Sequence, residues 1–152
     1  MIYVIIAAAV FALDFFVKRK MDRELAPGEE REILKGRIIL RKYYNKGAML
    51  NFLEKWPRLV QIFCGAALIA ISILFLFLLR EKGSRSLKLG MAMIIGGGAS
   101  NLCDRLTKGH VVDYFSFKSR FQRLQRVIFN LSDLFIFLGA IPAITALTIS
   151  RK

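Results

Sequence analysis

After Glu81 the chain carries only three acids, Asp104, Asp113 and Asp133, and a fourth, Asp14, interrupts its first apolar stretch. Two carboxylates held close together cannot both ionise cheaply, so they share a proton and titrate as a pair. The charged member can take a proton from water while the neutral member polarises a carbonyl. Asp113 and Asp133 suit that chemistry best. Asp113 follows the extended, β-branched pair Val111-Val112, and Asp133 lies three residues after Asn130, which puts both on one helix face. Asp104 beside Arg105 reads as an internal ion pair, with Asn101 on a neighbouring face as support. Asp14 and Lys18 are an i,i+4 pair at a helix end. His110 reads as a loop residue, and Ser100, Ser116 and Ser132 have no lysine or histidine placed to activate them. One histidine and two cysteines, Cys64 and Cys103, cannot assemble a zinc cluster, and both cysteines sit in apolar sequence rather than a disulfide framework.

These residues must be positioned by elements that are mostly apolar. The chain has 152 residues, 55% hydrophobic, and a positive mean hydropathy, too apolar for an ordinary soluble domain. A single integral membrane domain over residues 1–152 is expected, with spans at about 1–17, 59–79, 87–106 and 127–149. The first lacks a basic region ahead of its apolar core and reads as a retained span. In the third, Ala92, Gly96 and Ser100 recur every four residues, the small-residue spacing of close helix contacts. Gly96 to Gly98 serve packing, since no GK[ST] follows to make a phosphate loop. Pro142 is a tolerated kink in the fourth. Between the first two spans, Arg37 to Tyr44 is β-prone, and Asn51 to Pro57 reads as a short interfacial helix. Phe115, Phe117 and Phe121, between the last two spans, read as interfacial anchors.

Alternating spans bring the acids to one level. At ~1.5 Å rise per residue, Asp14, Asp104 and Asp133 each lie roughly 20 to 25 Å along their spans from the same membrane face. Asp113 can return to that level. An ion pathway would instead space its acids through the membrane depth, and a magnesium-dependent lipid-head transferase would use Asp104 and Asp113. The formal net charge of +13 fits anionic lipid headgroups better than nucleic acid. Counting lysines and arginines puts the long first segment in the cytoplasm.

Four motifs in order resemble those of the lipoprotein signal peptidase (signal peptidase II) family. They are Asp14-Phe15-Phe16-Val17-Lys18, Asn45-Lys46-Gly47-Ala48-Met49-Leu50, Ser100-Asn101-Leu102-Cys103-Asp104-Arg105 followed by Val111-Val112-Asp113-Tyr114, and Phe129-Asn130-Leu131-Ser132-Asp133. The family's patterns carry Gln at Phe15, Ala-Phe at Met49-Leu50, Gly at Ser100 and Ala at Ser132. The resemblance implies an α-helical membrane protein with four transmembrane helices, a small extracytoplasmic β-cradle and a short interfacial helix. Its extracytoplasmic segments would be about 18–58 and 107–126, in opposition to the charge count. It implies a catalytic pair at Asp113 and Asp133. Asn45, Gly47, Asn101, Arg105 and Asn130 would line the site, with Asp14, Lys18 and Asp104 supporting it. It further implies a monomer with no metal or cofactor, in a bacterial plasma membrane, that cleaves lipidated prolipoproteins before their diacylglyceryl cysteine.

Overall fold

Helix α3 carries too many polar groups to face hydrocarbon, and the fold places it where three other helices surround it. The computed structural model describes residues 1–47, 53–83, 85–120 and 125–149. Its elements are α1 (Ile2–Glu24), β1 (Glu30–Ile33), β2 (Ile38–Asn45), α2 (Pro57–Arg80), α3 (Arg85–Lys108), β3 (Val111–Phe117) and α4 (Leu131–Ile149). Helix α3 packs on α1, α2 and α4. Small residues make this possible on two faces. A side chain at Gly96 would strike the Ala7 carbonyl oxygen and Val10 of α1, and one at Gly97 would lie 2.7 Å from the Ser132 carbonyl oxygen of α4. The expected stripe therefore holds at Gly96 and Ser100 against α1, while Gly90 and Gly97 form a second stripe against α4.

Among the described residues only α2 is by itself long and apolar enough to cross a membrane, and almost none of its apolar window is buried inside the protein. Ile62, Phe63, Leu74 and Phe77 point outward, each about 60% exposed. The other helices mix apolar outer faces with buried polar inner ones. In α1, for example, Val4, Ile5 and Phe16 are exposed while Asp14 and Lys18 are buried.

Several boundaries differ from expectation. Helix α1 runs on past residue 17 to Glu24 because Lys18 turns inward to Asp14 instead of ending the helix. The pair is therefore a buried contact inside the helix, not a charge pair at its end. Helix α4 starts at Leu131, not at residue 127, since Phe129 bridges to Phe115 in extended conformation. Residues 51 and 52 of the expected interfacial helix lie outside the described residues; Leu53–Lys55 form a turn, and Pro57 opens α2.

The sheet is antiparallel in the order β1-β2-β3. Strand β3 was legible only as an extended lead-in at Val111-Val112. Its partner β2 lies about seventy residues earlier, and the register pairs Ile38 with Phe117, Tyr43 with Asp113 and Asn45 with Val111. Beneath the sheet Leu25, Tyr114, Phe115, Val127 and Phe129 form a buried cluster. Phe115 is thus core rather than an interfacial anchor. Phe117, about one-third exposed, packs edge-on against it at 5.6 Å, and Phe121 lies outside the described residues.

Candidate active site

At the start of α4 Asn130 and Asp133 cap each other. Asn130 Oδ1 accepts the Asp133 backbone N–H at 3.0 Å, and Asp133 Oδ2 accepts the Asn130 N–H at 3.0 Å. This is the reciprocal bonding of a capping box, and it holds a negative charge at the positive end of a helix. Asn130 accordingly precedes the helix; the expectation that it shares a helix face with Asp133 does not hold.

The cap has a second effect. With its oxygen committed to a backbone donor, Asn130 must turn Nδ2 toward Asp113, whose Oδ1 accepts it at 2.7 Å. Asn45 is oriented in the same way. Its Oδ1 accepts the Gly47 N–H at 3.0 Å, so Nδ2 donates to Asp113 Oδ2 at 3.0 Å. The β2–β3 register makes this possible, because Asn45 lies diagonally across the sheet from Asp113. Asn101 completes the set. Its Oδ1 accepts the Lys18 ammonium at 2.6 Å, and Nδ2 donates to Asp133 Oδ1 at 3.1 Å. Each amide has one acceptor and two donors, and in all three the acceptor is already used. Donors therefore face all the acid oxygens they reach, and both carboxylates are held in fixed orientations.

Asp113 is 2% exposed. Burial, and next the neighbouring charge of Asp133, push its pKa up to about 7, against the opposing hydrogen bonds from Asn45 and Asn130. Tyr114 follows it on β3. Burial raises its phenol well above the usual range, and its hydroxyl accepts the Leu131 N–H at 3.1 Å, tying the strand to the start of α4.

Behind the pair lies an ion cluster whose centre, Asp14, Lys18 and Asp104, is buried. Lys18 Nζ stands 2.7 Å from Asp14 Oδ2 and 3.4 Å from Asp104 Oδ2. Asp104 Oδ1 also meets Lys108 at 2.9 Å. Asp104 therefore pairs with two lysines and not with Arg105, correcting the expectation from their adjacency; successive helix residues point about 100° apart. Arg105 instead donates to the Gly47 carbonyl at 3.0 Å and the Asn101 carbonyl at 3.4 Å, while its Nε has no partner among the described residues.

The pair opens onto a cavity of about 310 Å³. Its lining includes Tyr43, Asn45 and Arg105 and the apolar Val127, Ile128 and Phe137. The ten residues expected to form or support the site are thus brought together. His110 is elsewhere, packed at a tilt against Tyr44 with ring centroids 4.4 Å apart.

This geometry can be set beside known proteins. The family profile described as Signal peptidase (SPase) II matches residues 6–149. The chain belongs to the signal peptidase II family. It is 32% identical over 151 residues to a lipoprotein signal peptidase of Neisseria gonorrhoeae, covering 99% of this chain and 91% of that one. Identity to the lipoprotein signal peptidase of Mesorhizobium japonicum is 34% over 140 residues, covering 91% of this chain and 80% of that one. A bacterial membrane enzyme solved at 2.3 Å by the in meso method shares the fold, with a TM-score of 0.82 at 21% identity over 99% of this chain and 89% of that one.

For a signal peptidase II family member, the residues that sequence reasoning missed are Tyr114, Tyr43 and the hydroxyls of Ser100 and Ser132. Both serines are buried, and both donate to Asp14 Oδ2 at 2.6 Å. A search for serine nucleophiles passes over them, because their work is to donate to a carboxylate. The available signal was their spacing: Ser100 sits beside Asn101 and Ser132 beside Asp133.

Proposed function

We propose that this protein is an aspartic endopeptidase that removes the signal peptide from diacylglyceryl-modified prolipoproteins, cleaving before the lipidated cysteine. The observation that carries the reading is the pair Asp113 and Asp133, which line one cavity, the first buried and the second half-buried, with their oxygens oriented by three polarity-locked amides. Asp113, the more deeply buried of the two, is assigned the shared proton. Asp133 takes a proton from water as the water oxygen attacks the scissile carbonyl carbon, and Asp113 gives its proton to the carbonyl oxygen. Asp133 then passes its proton to the leaving nitrogen. The C–N bond breaks, and one hydroxyl of the intermediate returns a proton to Asp113. Arg105, which lines the cavity, supplies a donor to a substrate carbonyl, and the apolar lining residues Val127, Ile128 and Phe137 suit acyl chains.

All four helices span the membrane in this reading. The apolar outer faces of α1 and α4 and the inward burial of polar groups support it. The site lies on the extracytoplasmic side. Four basic residues of the sheet region weigh less against this side than their number suggests, because acids of the same region neutralise them: Arg31 with Glu29, Arg41 with Glu30, Lys118 with Glu32 and Lys42 with Asp22. The test is incubation of the purified protein with a diacylglyceryl prolipoprotein. A shortened product is expected, and it should be missing with Asp113→Asn and with Asp133→Asn. Turnover by either variant would overturn the two-aspartate reading.

A further inference from the structure

The carboxylate of Asp14 does not line the cavity, yet four donors converge on it. Its Oδ2 accepts the hydroxyls of Ser100 and Ser132, each at 2.6 Å, and the Lys18 ammonium at 2.7 Å. Its Oδ1 accepts the Ser132 backbone N–H at 2.9 Å. Asp14, Ser100 and Ser132 are all within 1% of full burial, so water cannot replace a missing donor.

We propose that Ser100 and Ser132 are positioning residues for the reaction, acting on Asp133 through Asp14, Lys18 and Asn101. The path consists of contacts already described. The serines fix the Asp14 carboxylate from α3 and α4, the two helices that flank it. That carboxylate, with Asp104, fixes where the Lys18 ammonium sits. The ammonium in turn decides the polarity of the Asn101 amide: Oδ1 toward Lys18, hence Nδ2 toward Asp133 Oδ1. Asn45 and Asn130 have their polarity set by backbone N–H groups, which cannot move. Of the three amides, Asn101 depends on a flexible side chain, and the serines are what keep that side chain's counter-ion in place. With the hydroxyls removed, Asp14 keeps Lys18 and one backbone donor. The ammonium can then shift toward Asp14 or Asp104, Asn101 can turn, and Asp133 faces an amide oxygen where a donor stood. The backbone arrangement of the cap at Asn130 is untouched by this change.

The inference rests on the proteolytic reading, and the two fail differently. Absence of cleavage by the parent protein would overturn that reading; with an active parent, the comparison of variants tests the serines alone. Alanine at position 132 keeps the backbone donor to Asp14, so Ser100→Ala/Ser132→Ala retains a covered Asp14. The assay is steady-state cleavage of a synthetic diacylglyceryl lipopeptide by the full chain in detergent. The double variant is expected to lower kcat about tenfold, the scale of one lost hydrogen bond to a charged group, with KM within about twofold. The same two substitutions on an Asn101→Ala background are expected to change kcat by less than about twofold, because the path is already cut. A kcat in the double variant within about twofold of the parent overturns the proposal. So does an equal loss in both backgrounds, which is what fewer folded molecules would give, and so does a loss confined to KM.

Discussion

Asp113→Asn should change stability with a sign that depends on pH. In the folded protein the Asp113 pKa is pushed to about 7, from an ordinary value of 3.8. Between those values the folded state binds a proton that the unfolded chain has released, so stability falls as pH rises through the window. At ~1.36 kcal/mol per pKa unit, burying Asp113 costs up to about 4 kcal/mol above pH 7 and nothing below about pH 4. Asparagine never ionises and escapes that cost. It brings another, however. The amides of Asn45 and Asn130 both present N–H groups to position 113 and cannot turn, because their oxygens are held by Gly47 and Asp133 N–H groups. The nitrogen of the substituted amide must face one of them, and the stranded donor costs roughly 1–3 kcal/mol at every pH. The variant is therefore expected to be less stable than the parent at pH 4 and equal or more stable at pH 8. The difference should move in one direction by up to about 4 kcal/mol, or roughly 10 °C in Tm for a chain of this length. Thermal unfolding in detergent at half-unit pH steps measures it. A Tm difference that stays flat from pH 4 to pH 8 would refute the claim that burial raises the Asp113 pKa.

Other outcomes follow from the same contacts. The alkaline limb of kcat/KM should fall near pH 7 as Asp113 loses its proton, and a limb above about pH 9 in the parent protein would place the proton on another group. Lys18→Met should leave Asp14 and Asp104 buried without their shared cation, at a cost of about 3–5 kcal/mol, seen as a large drop in Tm or in folded yield. Gly97→Ala should push α4 off α3, since its methyl would sit 2.7 Å from the Ser132 carbonyl oxygen; a loss of about 1–3 kcal/mol is expected, with reduced kcat because Ser132 and Asp133 move with that helix. Thermal unfolding and turnover of the same sample check both effects.

Much of the candidate site's composition was legible in the chain by itself. The scarcity of acids after Glu81 singled out Asp104, Asp113 and Asp133, and the constant rise of a helix brought them and Asp14 to one level. Both rest on local regularities that a sequence carries in full. Apolar runs identified α2 within two residues at its start and one at its end, because nothing but length and hydropathy defines it. What depended on distant partners was not legible. Strand β3 exists because β2 offers it an edge some seventy residues earlier. Asp104 turns to Lys18 and Lys108 instead of its neighbour Arg105 because of where α1 lies. Asn130 is a cap and not a helix-face residue because Phe129 is held extended against Phe115. The amide polarities were least legible of all, since an asparagine's two ends are equivalent in sequence and are told apart only by what already occupies its oxygen. The sequence by itself determined which residues could share a proton. The tertiary structure decided which way the donors around them point, because a hydrogen bond's direction is set by both partners, and the carboxylates that Asn45, Asn101 and Asn130 reach lie on other elements.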